Sequence, residues 1–195
     1  MKWKVAPKID KDIEKEFDKY PSIVRQLLFN RSITSVGAAE LFFSDKGEFH
    51  DPFLLTGIED AIKAIEDIIK NKRKVFIYGD YDVDGICATS IMWDFLYRKL
   101  GIEVLPYIPS RFDEGYGLSE VGLNQIISEG GEIVISVDCG IKDIELVKKY
   151  TQKGLKFIIT DHHTLPTDEQ GDKIYSTDAI AVIHPALPKS QYPFA

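Results

Sequence analysis

Three carboxylates stand at alternate positions, Asp80, Asp82 and Asp84, inside the segment Gly-Asp-Tyr-Asp-Val-Asp-Gly at 79–85. Anions this close repel by a few kcal/mol per pair at an effective dielectric of about 20. Either water holds the loop open as a solvated acidic turn, or a bound cation neutralises it. The pattern opens like a calcium-binding hand, yet the twelfth position, which needs a bidentate Glu, is the apolar Ile91. The same chemistry recurs twice. Asp138 ends the apolar run 133–137, and Asp161-His162-His163 ends the run 157–160. A helix N-cap explains any one such Asp, but explains all three sites together poorly. Oxygen donors with imidazole and without thiolate favour Mn²⁺ or Mg²⁺ over zinc. Ligands enough for two ions suit a pair about 3.5–4 Å apart that activates water for phosphoryl-ester hydrolysis. Cys139 beside Asp138 reads as a small buried filler. A further stretch, 111–118, offers Arg111 for phosphate and Tyr116 for stacking on a base, or is simply a glycine-containing loop before a helix.

Hydropathy shows which elements must position these groups. Apolar runs of strand type at 75–78, 104–108, 133–137, 157–160 and 179–183 alternate with helical stretches at 86–100, 118–129 and 141–150. Strand–helix–strand units of this length make right-handed crossovers, and near-continuous apolar strands belong to a parallel sheet covered on both faces. The expected fold is therefore α/β, a mostly parallel sheet with helices on both faces, preceded by a helical lead-in. In open sheets of this kind ligands collect at the strands' carboxyl ends, where all the acids fall. In the lead-in, helices are expected over 9–17, 21–28 and 36–43. Ile58, Ala61, Ile62, Ile65, Ile68 and Ile69 recur at helical spacing, predicting an amphipathic helix over 57–70 packed on the sheet. The expected division is 1–71 as lead-in packed on the core and 72–195 as the sheet domain. Lys70, Lys72, Arg73 and Lys74 read as a solvated helix end, and 167–177 as an exposed polar loop.

A chain of 195 residues can bury a real core as one domain, or one domain with an appendage. The net charge of −7 does not mark a bulk-basic nucleic-acid binder, although divalent ions would offset acidic metal sites. Only Cys87 and Cys139 are present, in no metal-like spacing, so reduced thiols and a cytoplasmic location are expected. The charged N-terminus lacks a signal-peptide pattern. The longest apolar run contains Asp94 and is too short to span a bilayer, so no membrane partner is expected.

Taken in order, the segment 79–85, Ser-Arg-Phe-Asp-Glu-Gly-Tyr-Gly-Leu at 110–118, Val-Ile-Ser-Val-Asp-Cys-Gly-Ile at 134–141 and Ile-Thr-Asp-His-His at 159–163 resemble the successive motifs of the DHH phosphoesterase superfamily. The 110–118 loop, with the lead-in segments 27–43 and 51–55, is most similar to its RecJ branch, single-strand-specific 5′→3′ exonucleases of DNA repair and recombination. The resemblance implies that Asp82, Asp84, Asp138 and His162 ligate two Mn²⁺ or Mg²⁺ ions, with Asp138 bridging and Asp80 assisting. It implies that His163 contacts the scissile phosphate and that Asp161 holds a histidine in place. Single-stranded DNA is the implied substrate, and a helicase or single-strand-binding protein a partner of the longer enzyme. Two departures stand out. His184-Pro185 replaces the branch's usual Asn-Pro, so no role is carried to His184. The fourth motif, a second (DHHA1-like) domain and an oligonucleotide-binding fold are expected after Ala195, so the chain reads as an N-terminal fragment, inactive or nearly so alone. Two other functions fit the same motifs: a phosphodiesterase for short oligonucleotides or cyclic dinucleotides, and a non-catalytic replication scaffold.

Overall fold

The computed structural model describes residues 4–45 and 49–193, so positions 1–3 and 46–48 of the expected lead-in lie outside the described residues. The chain divides into two compact units between Phe49 and His50. The first holds three short helices, α1 (Lys11–Glu16), α2 (Ser22–Asn30) and α3 (Val36–Phe42). Asp10 caps α1 by accepting the Asp12 N–H, and Ser35 caps α3 by accepting that of Ala38. Phe17, Leu28 and Ala39 form the buried centre of this unit, with Ile13, Tyr20 and Val24 packed around them.

The second unit begins with a single 3₁₀ turn, Pro52–Leu54, and then α4 (Ile58–Asn71). Five strands follow: β1 (Val75–Gly79), β2 (Val104–Tyr107), β3 (Ile133–Val137), β4 (Lys156–Thr160) and β5 (Ala181–Ile183). Between them lie α5 (Val83–Trp93), α6 (Glu120–Ser128) and α7 (Ile144–Thr151). All pairings are parallel, in the order β2-β1-β3-β4-β5. Period-two alternation sorts the side chains onto two faces. Val75, Ile77, Ile133, Ile135, Val137 and Ile158 pack against Ala61, Ala64 and Ile68 of α4, and against Ala88 and Met92 of α5. Phe76, Tyr78, Val134, Phe157 and Ile159 face Leu123 and Ile126 of α6, and Val147 and Tyr150 of α7. The amphipathic helix read over 57–70 thus belongs to the sheet's own core, on the sheet side of the chain's division.

At α5 and α6 the helix start differs from the sequence reading because of a capping side chain. α5 begins at Val83 and not at 86, because Asp82 Oδ1 accepts the Gly85 N–H at 3.0 Å. A Cβ on Gly85 would lie 2.4 Å from the Asp80 carbonyl oxygen, so only glycine lets the helix start this close to the loop. α6 begins after Ser119, which accepts the Gly122 N–H at 2.9 Å. The stretch read as the end of the helix over 86–100 widens to an i→i+5 turn at Asp94–Lys99.

Candidate active site

β1 leads to β2 on one side and pairs with β3 on the other, so the strand order reverses at the β1/β3 boundary. The carboxyl ends of two strands that diverge in this way leave a crevice for ligand. Register then fixes what lines it. Gly79 is opposite Val137, Val137 opposite Thr160, and Thr160 opposite Ile183. The next residues, Asp80, Asp138, Asp161 and His184, therefore emerge side by side at one edge. The ladder carries on into that row, with Asp138 N–H donating to the Thr160 carbonyl at 2.9 Å and Asp161 N–H to that of Ile183 at 3.1 Å. Asp138 has a φ of +61°, a left-handed conformation that Asp tolerates better than most residues and one that concentrates at functional sites.

Three of the expected groups meet closely. One donor atom from each of Asp138, His162 and His163 lies within 4.8 Å of the others. His162 Nε2 is 2.9 Å from Asp138 Oδ1, and His163 Nδ1 is 4.0 Å from it. Asp138 is 8% exposed; burial and the charge of Asp82 raise its carboxyl, while both histidines oppose the rise. Asp80, 3% exposed, accepts the Tyr81 N–H at 2.6 Å, and burial followed by Asp82 raises its carboxyl too. Two adjacent carboxyls pushed upward by burial and by a neighbouring anion are relieved by a cation. The donors fit a hard divalent ion, oxygen and imidazole without thiolate. Cys139 is turned away, its thiol reaching the Tyr78 carbonyl at 3.6 Å, and burial drives it well above its ordinary range.

Asp82 and Asp84 stand beside this trio and are not part of it among the described residues. Asp82 is engaged as the α5 cap. Asp84, exposed in the first turn of α5, borders a depression of about 380 Å³ together with Asp138 and His162. On the other side of Asp138, a cavity of about 350 Å³ is bordered by Asp80, His163, Tyr116 and Lys142.

Asp161 organises the histidines. Its Oδ1 accepts the N–H groups of His162 at 2.7 Å and His163 at 2.9 Å, and contacts His163 Nδ1 at 2.8 Å, while Oδ2 accepts the Ile141 N–H at 3.0 Å. Burial alone would raise this carboxyl, but the bonds from His163 and Ile141 outweigh it and hold it below its ordinary value. His163 is raised in turn, chiefly by its bond to Asp161. His184 is 2% exposed and faces inward. Its Nδ1 accepts the Ala186 N–H at 3.0 Å, which leaves Nε2 to donate to the His163 carbonyl at 2.6 Å. It braces the histidine turn, a role that only the register of β5 against β4 exposes.

Sequence reasoning also passed over the fasteners of the 108–119 loop. Glu114 accepts from Tyr107 Oη at 2.9 Å, from the Ser110 N–H at 2.8 Å and from the Ser119 hydroxyl. Burial opposes ionisation, yet these donors outweigh it and Glu114 is held low. Asp143 Oδ2 accepts the Leu118 N–H at 2.9 Å from 25 residues away. The loop thereby sets Tyr116 at the border of the Asp138 cavity. Arg111 does not border that cavity; its guanidinium lies over the Tyr81 ring.

This fold and edge define a class. Residues 74–190 match the model of the DHH family, N-terminal domain, and the chain belongs to that family. It is 37% identical to the single-stranded-DNA-specific exonuclease RecJ of Bacillus subtilis, over 100% of this chain and 24% of that protein. Among solved structures, a manganese-bound exonuclease RecJ superposes with a TM-score of 0.61 at 31% identity, over 71% of this chain and 34% of the other. RecJ of Thermus thermophilus, in complex with Mn²⁺, shares the fold with a TM-score of 0.62 at 22% identity, over 94% and 25%. The chain spans about a quarter of the length of its curated relatives. No described helix is long and apolar enough to cross a membrane.

Proposed function

We propose that this chain is the metal-binding part of a divalent-metal phosphodiesterase of RecJ type, a cytoplasmic enzyme that shortens single-stranded DNA from its 5′ end in repair and recombination. The supporting observation is the meeting of Asp138, His162 and His163 at the β1/β3 crevice. In this reading Asp82, Asp84, Asp138 and His162 hold two Mn²⁺ or Mg²⁺ ions, with Asp80 assisting. When bound there, such ions would supply an activated water and offset charge on the phosphate. The chain's own residues do the rest. Asp161 holds the His163 ring with Nδ1 toward its carboxylate, leaving Nε2 for a phosphate oxygen, and its negative charge keeps that imidazole protonated to higher pH. Arg111 and Tyr116 receive the terminal phosphate and a base. The chain covers about a quarter of its relatives' length, and in this reading the whole enzyme extends further through the fourth motif and second domain that the resemblance implies and works with a helicase or single-strand-binding protein.

The test uses the whole enzyme on 5′-labelled strands with Mn²⁺. Asp138→Ala is expected to abolish cleavage, and long single strands to be shortened processively. Undiminished metal-dependent activity in the variant removes the assignment. Activity confined to oligomers of two to five residues replaces it with a short-substrate phosphodiesterase.

A further inference from the structure

Tyr81 sits between Asp80 and Asp82, in the loop that carries the first acids, and its ring faces the other loop of the site. The Tyr81 and Tyr116 ring centroids are 4.5 Å apart with the planes tilted by 41°. The Arg111 guanidinium lies 5.5 Å from the Tyr81 centroid. One aromatic ring thus meets both groups that the nuclease reading assigns to substrate, from an element separated from them by α5 and β2. Its backbone is itself anchored, because the Tyr81 N–H donates to Asp80 Oδ1 at 2.6 Å. Tyr116 is 67% exposed and borders the cavity with Asp138 and His163.

We propose that Tyr81 is a positioning residue for substrate, a ring that holds Arg111 and Tyr116 in one preassembled stack beside the Asp138 cavity. A terminal nucleotide then meets a base platform and a phosphate-binding cation whose rotamers are already restricted. Restricting them beforehand strengthens binding by removing an ordering cost at association. The inference rests on the nuclease reading and adds to it the residue that joins the metal loop to the substrate loop.

The experiment measures binding of a 5′-phosphorylated hexathymidylate, with phosphorothioate linkages and a 3′ fluorophore, to the whole enzyme in Mn²⁺. Mn²⁺ affinity is followed in parallel by calorimetry. Loss of a cation–π contact and an aromatic pair is expected to raise the strand's Kd about five- to tenfold in Tyr81→Ala. Tyr81→Phe, which keeps the ring, is expected to stay within about twofold. Mn²⁺ affinity is expected to be unchanged in both. Combining Tyr81→Ala with Arg111→Ala is expected to cost less than the two losses multiplied, since one acts through the other. Wild-type binding by Tyr81→Ala overturns the inference, as does an equal loss in Tyr81→Phe. Loss of Mn²⁺ binding in Tyr81→Ala overturns it as well, by placing the residue in the service of the metal loop. Failure of the unmutated whole enzyme to bind the strand, with Mn²⁺ bound, defeats the nuclease reading itself and the inference with it.

Discussion

Asp161→Asn removes one charge and one acceptor from a side chain whose surroundings consist of donors. The carboxylate is 2% exposed and serves three backbone N–H groups and the His163 ring. An amide has a single oxygen. With that oxygen in the Oδ1 place, its NH₂ group faces the Ile141 N–H, and two buried donors confront each other. An unmade buried bond costs about 1–3 kcal/mol, and each charge-assisted bond made neutral loses roughly a further 1. The released cost of burying the carboxylate offsets part of this, so a net loss of about 2–4 kcal/mol is expected. The assay is urea unfolding followed by far-ultraviolet circular dichroism, in chelator so that metal does not contribute.

The pH dependence carries the sign of the same interaction. His163 is raised above its ordinary 6.5, so its contribution is fully present below that pH and is lost as pH rises through the folded value. Asp161 is held below its ordinary 3.8, so its contribution is present above that pH and is lost as pH falls through the folded value. The deficit of the Asn variant is therefore expected to be largest between about pH 4 and 6.5 and to shrink on either side. In NMR titration the His163 ring of the variant is expected to deprotonate at lower pH than in the wild type. A stability change under about 1 kcal/mol together with an unmoved His163 titration would refute the reasoning.

Other changes test the same edge. Gly85→Ala is expected to cost roughly 2–3 kcal/mol in urea unfolding, because its Cβ would meet the Asp80 carbonyl oxygen at 2.4 Å and this backbone has little room to give. His184→Ala leaves the His163 carbonyl and the Ala186 N–H without their present partner. It is expected to lower stability by about 2 kcal/mol and to weaken Mn²⁺ binding by calorimetry, since the turn it braces carries His162.

Much of this protein is written locally. Runs such as Ile133–Val137 and Lys156–Thr160 are mostly apolar and are followed directly by Asp, and that pattern survives without any knowledge of partners. Side-chain period and turn residues act over a few positions, so strands, helices and the acids at strand ends are all legible in short windows. Helix starts were less so: Asp82 and Ser119 act as caps through a bond to a backbone N–H three residues on, and a reading from hydropathy alone begins the helix late or early.

Tertiary structure decided the rest. Which of Asp80, Asp82 and Asp84 stands with Asp138 depends on the order β2-β1-β3-β4-β5 and on its register, and no window of sequence contains both strands. The same holds for His184, whose neighbour His163 is 21 residues away, and for Asp143, which holds Leu118 from 25 residues away. Side chains distant along the chain meet only after the sheet has paired. Pairing is a sum of many weak contacts spread over the whole core, so their meeting is a property of the fold and not of any motif.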